Sequence, residues 1–112
     1  MIEIKELTKI YNSGEAQVNA LRGVTETIEN GECVAVIGKS GSGKSTLLNI
    51  IGGMDYPISG EVYVDGENIV GYKEKQLSEY RLNKIGFIFQ FFHLIPILTV
   101  KENILLPLII AG

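Results

Sequence analysis

Apolar and polar positions alternate imperfectly at the start of the chain. Ile2, Ile4 and Ile10 keep the two-residue period of a half-buried strand, whereas Leu7 falls off it. An opening strand is predicted, then turn chemistry at Asn12, Ser13 and Gly14, then a second strand over about 21–28. Asn30 and Gly31 signal another turn, after which Cys33, Val34, Ala35, Val36 and Ile37 form an unbroken apolar run. That run reads as a buried strand, joined to the second strand by an antiparallel, hairpin-like turn.

The pattern then changes period. Thr46, Leu47, Leu48, Asn49, Ile50 and Ile51 predict a helix over 44–51, stopped by Gly52 and Gly53 and followed by the break at Pro57. Alternation returns from Glu61 to Ile69 around an Asp65-Gly66 step, which predicts a hairpin. A charged stretch over 74–84, with Leu77, Tyr80 and Leu82 as its apolar members, reads as a surface helix, and 85–89 follows as a strand. Thr99 and Glu102 have capping-box spacing, so a last helix is expected from there, interrupted at Pro107.

With 46% hydrophobic residues in 112, the chain can build a core, and its length fits one domain or part of one. No repeat, low-complexity segment or linker divides it. Ten Lys plus Arg against 13 Asp plus Glu leave a net charge of -3, so nothing global attracts nucleic acid or an anionic membrane, and anion binding has to be local. Cys33 is the single cysteine, expected as a buried structural thiol, which suits a reducing compartment. The first residues lack the features of a signal peptide, and the apolar stretch over 104–111 is broken by Pro107 and far shorter than the ~20 residues that span a bilayer.

The candidate chemistry is concentrated between the apolar run and the first helix. Gly38, Lys39, Ser40, Gly41, Ser42, Gly43, Lys44 and Ser45 fit the phosphate-loop pattern G-x-x-x-x-G-K-[ST] at every fixed position, in a strand-loop-helix context. Several negative charges must be met by many donors without side chains blocking the approach. Gly38, Gly41 and Gly43 let the backbone curl round the phosphates, and the helix start aims its positive end at them. Lys44 supplies a point charge near the β and γ phosphates, the Ser45 hydroxyl suits the Mg²⁺ shell, and Thr46 suits an α-phosphate contact. A nucleoside triphosphate with Mg²⁺ is the expected ligand; the loop by itself leaves the reaction open.

Residues outside the loop agree with one family. Tyr11, the stretch from Ala20 to Val24, Gly31 and Glu32, the loop, the stretch from Ser59 to Val62, and the residues from Ile85 to Gln90 together resemble the N-terminal part of an ATP-binding cassette (ABC) transporter ATPase. The closing residues, from Leu94 to Asn103 with Leu106, Pro107 and Leu108, look like the subgroup serving lipoprotein release and macrolide export. The resemblance implies an α/β fold of the P-loop NTPase type: an N-terminal antiparallel β subdomain plus the start of the parallel-sheet core, truncated. It assigns Tyr11 to stacking on adenine, a role a flat π face can perform, where the residues alone also allow a tyrosine ending an edge strand. Val18 lines the same adenine site or is an ordinary β-branched strand residue.

By the same resemblance Gln90 contacts Mg²⁺ and the attacking water, at the end of a strand where open α/β sheets place ligand contacts. The loop after Gln90 then meets a membrane-spanning partner, making Phe91, Phe92 and Leu94 candidate interface residues, with core packing as the alternative. His93, the only histidine, falls at a solvent-facing or interface position, and Lys39 at a free, solvent-facing position of the loop.

The family's Leu-Ser-Gly-Gly-Gln segment, its later acidic pair and its γ-phosphate-sensing histidine are absent from these 112 residues. In the family, ATP is hydrolysed between two such subunits. The expectation is therefore a transporter ATP-binding subunit, peripheral on the cytoplasmic face, of which this chain carries a site that binds but does not turn over efficiently. The alternatives are a non-catalytic nucleotide-binding module and a P-loop kinase, the latter disfavoured by having only Arg22 and Arg81 to form an arginine lid.

Overall fold

In the computed structural model, residues 1–39, 41, 43–90 and 93–112 are described. Strands β1 (Ile2–Ser13), β2 (Ala16–Ile28), β3 (Ser59–Val64) and β4 (Glu67–Asn68) form one antiparallel sheet in the order β2-β1-β3-β4. Helices α1 (Lys44–Ile51) and α2 (Glu74–Lys84) pack with it, and α3 (Val100–Ala111) closes the chain.

The irregular period of the first strand has a structural cause. On a regular strand residues 4 and 7 point to opposite faces, yet Ile4 and Leu7 are both buried. The β1–β2 register shifts between them, and Glu6 adopts a positive φ of 49°, so a bulge brings both side chains to the core. Leu21 of β2, Val62 of β3, Ile50 of α1, Ile69 of a 3-10 turn, and Leu77 and Tyr80 of α2 complete that core.

β1 and β2 are joined at Ser13 and Ala16, so the second strand is longer than its sequence pattern suggests. The Asp65-Gly66 hairpin forms as expected, with both residues at positive φ (50° and 86°), the geometry that twists with its strands. Helix α2 matches its predicted span. It also closes the end of α1: the Tyr80 hydroxyl donates to Ile51 O at 2.6 Å and Arg81 to Gly53 O at 2.6 Å, satisfying carbonyls near that helix end. Burial pushes the Tyr80 hydroxyl up to about 12.

Five expectations are corrected. The runs over 33–37 and 85–89 join no ladder among the described residues, and the Asn30-Gly31 turn forms without a hairpin beyond it. A strand exists only with a neighbour to bond, and an apolar run cannot supply one alone. Cys33 is consequently exposed, not buried. The second run keeps a strand-like alternation even so: Ile85 and Phe87 are half-buried while Ile88 is fully exposed. Finally, α3 is not interrupted at Pro107. The missing N–H leaves one carbonyl, that of Asn103, without its usual donor, and the helix continues until Gly112 N–H bonds Leu108 O at 3.1 Å.

Candidate functional site

The start of α1 is built to face an anion. Its N-cap is Gly43, in the left-handed region at φ 96°, and among the described residues no side chain caps the free amides of its first turn and no acidic residue stands there. Gly41 is also left-handed, at φ 81°. Gly43 is fixed by contact as well as by conformation: a Cβ there would lie 2.3 Å from the Ala20 carbonyl oxygen of β2 and 3.3 Å from Leu21 Cδ2. The loop thus rests directly on the strand that carries Val18 and Ala20.

Lys44 turns back over the loop it follows. Its ammonium donates to the carbonyls of Gly38 and, at 3.1 Å, of Lys39, and holds a positive charge inside the curve. Ser45 is exposed and Thr46 half-buried on the first turn of α1. Ser40 and Ser42, read from the sequence as part of the loop, lie outside the described residues, as do Phe91 and Phe92.

Tyr11 and Val18 are paired across β1 and β2. The strand register therefore places the two candidate base contacts side by side. Gln90, at the end of the 85–89 run, faces the same space. That run is docked on the end of α1 by Phe87, whose ring packs where Gly52 has no side chain; a Cβ there would meet it at 2.0 Å. These elements surround one cavity of about 510 Å³, lined by Tyr11, Val18, Ala20, Gly41, Gly43, Lys44, Ser45, Thr46 and Gln90. Among the described candidates, Gly38 alone is not a lining residue, and it contributes its carbonyl to Lys44.

Sequence reasoning missed Asp55. The Tyr11 hydroxyl donates to Asp55 Oδ2 at 2.7 Å, and the Lys9 ammonium donates to Asp55 Oδ1 at 3.3 Å and to Tyr56 O at 2.6 Å. The same ammonium stands 5.1 Å from the centre of the Tyr11 ring. Burial, then the Asp55 carboxylate, raise the Tyr11 hydroxyl above the usual tyrosine value, with the Thr46 hydroxyl pulling the other way. Burial pushes the Asp55 carboxyl up, but bonds from Tyr11, the Tyr56 N–H and Lys9 together outweigh it and leave it lowered. With Tyr11 and Asp55 separated by 44 positions, no local pattern announces the pair.

From His93 on, the segment after Gln90 is mostly exposed. Leu94 is 65% exposed, and His93, at φ 52°, stacks on Phe89 with ring centres 4.4 Å apart. Lys39 is exposed, as expected. No helix among the described residues is long and apolar enough to cross a membrane.

The arrangement fits a triphosphate and a hard cation. The glycine cradle at 43 would be filled by any Cβ, the free amides and Lys44 suit phosphate oxygens, and Ser45 and Gln90 offer neutral oxygens on the same cavity. Among the described residues no cluster of three or more His, Cys, Asp or Glu could hold a metal on its own, so a cation here would share its ligands with phosphate and water.

Comparison with known proteins gives a consistent result. The ABC transporter family matches residues 21–111. The chain is 46% identical over its whole length to half of a lipoprotein-releasing system ATP-binding protein, LolD, from Geobacter metallireducens. It is 48% identical over its whole length to 17% of a macrolide export ATP-binding/permease protein, MacB, from Mannheimia succiniciproducens. Among solved structures, the ATP-binding cassette MJ0796, in a dimeric post-hydrolysis state bound to ADP and Pi, superposes with a TM-score of 0.94 at 48% identity, covering all of this chain and 48% of that one. The chain thus spans about half the length of LolD and of the solved cassette.

Proposed function

This chain belongs to the ABC transporter family, and we propose that it supplies the ATP-binding face of a cassette that drives transport through a membrane partner. One observation carries the reading: the β1–β2 hairpin, the phosphate loop with the first turn of α1, and the segment ending at Gln90 converge on a single cavity. Adenine stacks on Tyr11 beside Val18. The phosphates lie along the loop from Gly38 to Ser45, including Ser40 and Ser42, and meet the α1 amides, Lys44 and Thr46.

Ser45 and Gln90 would hold Mg²⁺ together with phosphate oxygens, where the cation would neutralise charge on the β and γ groups. Gln90 additionally orients the attacking water. Among the described residues that line the cavity with Gln90 none is a carboxylate that could take a proton from that water, and Glu102 is committed to the Thr99 cap, its carboxylate accepting from Thr99 N–H at 2.9 Å. Turnover on this reading requires groups beyond these 112 residues and a second cassette facing the loop. The apolar segment after Gln90 would meet the membrane-spanning partner and hold the protein at the cytoplasmic face. No nucleic acid is involved, in keeping with the net charge of -3.

Calorimetric titration with Mg-ATP tests the reading. Lys44→Ala is expected to lose most binding, while Gln90→Ala keeps it largely intact. Unchanged affinity in the Lys44 variant would overturn the assignment.

A further inference from the structure

Tyr11 lies near the end of β1, where it is 39% exposed, and a tyrosine at such a position is free to swing about two torsions. Its ring is nevertheless held at two points. The hydroxyl is tied to Asp55 at 2.7 Å, the ring face carries the Lys9 ammonium at 5.1 Å, and Lys9 is itself fixed to Asp55 and to the Tyr56 carbonyl. Asp55 is in turn anchored, since its carboxylate accepts the Tyr56 N–H at 2.8 Å and the preceding Met54 N–H bonds Asn49 O of α1 at 2.7 Å.

We propose that Asp55 is a positioning residue for nucleotide binding: with Lys9 it locks the Tyr11 ring, so that the base shelf and the phosphate loop move as one body. The inference rests on the nucleotide-binding reading above and deepens it. The helix that begins at the phosphate loop ends in the segment that holds the tyrosine. Distance and orientation between the two ends of a bound nucleotide are therefore set before it arrives. Lys9 covers one face of the ring, and Tyr11 lines the cavity in which a flat aromatic base would stack. A side chain already ordered does not lose rotamer freedom when the ligand binds, which is where the affinity gain arises. The raised tyrosine and lowered aspartate ionisations agree with a hydroxyl donating to a charged carboxylate.

The test compares ATP with inorganic triphosphate, both with Mg²⁺, by calorimetry on the purified protein, with folding checked by circular dichroism. Asp55→Ala should weaken ATP by about 3- to 10-fold, the effect of one lost hydrogen bond, and leave triphosphate unchanged. Tyr11→Phe removes the same bond from the other side and should match it, which keeps the test usable if the aspartate variant folds poorly. In a Tyr11→Ala background, Asp55→Ala should cost nothing further for ATP.

Equal weakening of ATP and triphosphate, or an undiminished Asp55 effect without Tyr11, would overturn the proposal by showing that Asp55 acts on the fold or the phosphates. Wild-type ATP binding left intact by Asp55→Ala and Tyr11→Phe would overturn it while sparing the nucleotide reading. Failure of the wild-type protein to bind either ligand would sink both.

Discussion

Replacing Gly43 by alanine combines two separable penalties at the point where the phosphate loop meets the sheet. The first is conformational: a non-glycine residue at φ 96° carries strain of about 1–3 kcal/mol. The second is steric, because the new methyl would lie 2.3 Å from the Ala20 carbonyl oxygen, and that oxygen belongs to strand backbone that cannot swing aside. Forced overpacking of this kind costs about another 1–3 kcal/mol unless the loop moves off β2. Relief by movement opens the phosphate cradle, so the cost appears as lost affinity or as lost stability. Gly43→Ala is expected to bind Mg-ATP at least ~10-fold more weakly, a loss of about 1.4 kcal/mol, or to unfold at least ~4 °C lower. Gly14→Ala is the control, since Gly14 is also left-handed, at φ 62°, but a Cβ there meets nothing within 4 Å. It should show strain alone, a modest fall in Tm with wild-type affinity. Wild-type affinity and Tm in Gly43→Ala, or an equal affinity loss in Gly14→Ala, would refute the reasoning.

Other consequences can be measured independently. Leu7 is fully buried at the bulge that rescues its orientation, so Leu7→Ala should cost about 2–5 kcal/mol in denaturant unfolding, and a loss below about 1 kcal/mol would contradict its place in the core. The Thr99 hydroxyl accepts Glu102 N–H at 3.1 Å, so Thr99→Ala should remove about 0.5–2 kcal/mol of support from α3, read as faster amide exchange over its first turn. In the folded chain Asp65 is lowered by the N-terminal ammonium, Glu74 by Arg81 and Glu102 by the Thr99 N–H, and Asp55 is lowered by its three donors against the opposing effect of burial. Groups lowered on folding stabilise fully above their ordinary values of 3.8 and 4.5. Stability should therefore be flat from about 5 to about 9 and fall as pH drops through 4.5 and below, less steeply in Asp55→Asn; a protein that gained stability on acidification would contradict the sign.

Local signals carried most of the prediction that succeeded. The Asp65-Gly66 hairpin, the Gly52 stop of α1, the span of α2 and the Thr99 cap are each decided by residues within a few positions of one another, so the sequence displays them. The phosphate loop is equally local. What failed depended on distant partners. The run over 33–37 is apolar enough for a buried strand, but a ladder needs a neighbour that the described sheet does not provide, and Cys33 was misjudged with it. The Glu6 bulge was visible only as a faulty period, and the Asp55 anchor not at all, because it joins the end of β1 to the segment after α1. Val18 shows the converse: ambiguous on its own, it is set opposite Tyr11 by a register that no local pattern announces.

A crystal structure of the protein with Mg²⁺ and a non-hydrolysable ATP analogue tests the central claim most directly. The account predicts adenine against the Tyr11 ring beside Val18, the phosphates along the loop up to Ser45 and Thr46, and the cation between Ser45 and Gln90. Nucleotide bound elsewhere on the molecule, or bound in this cavity with its base away from Tyr11 and its phosphates away from Lys44, would contradict it.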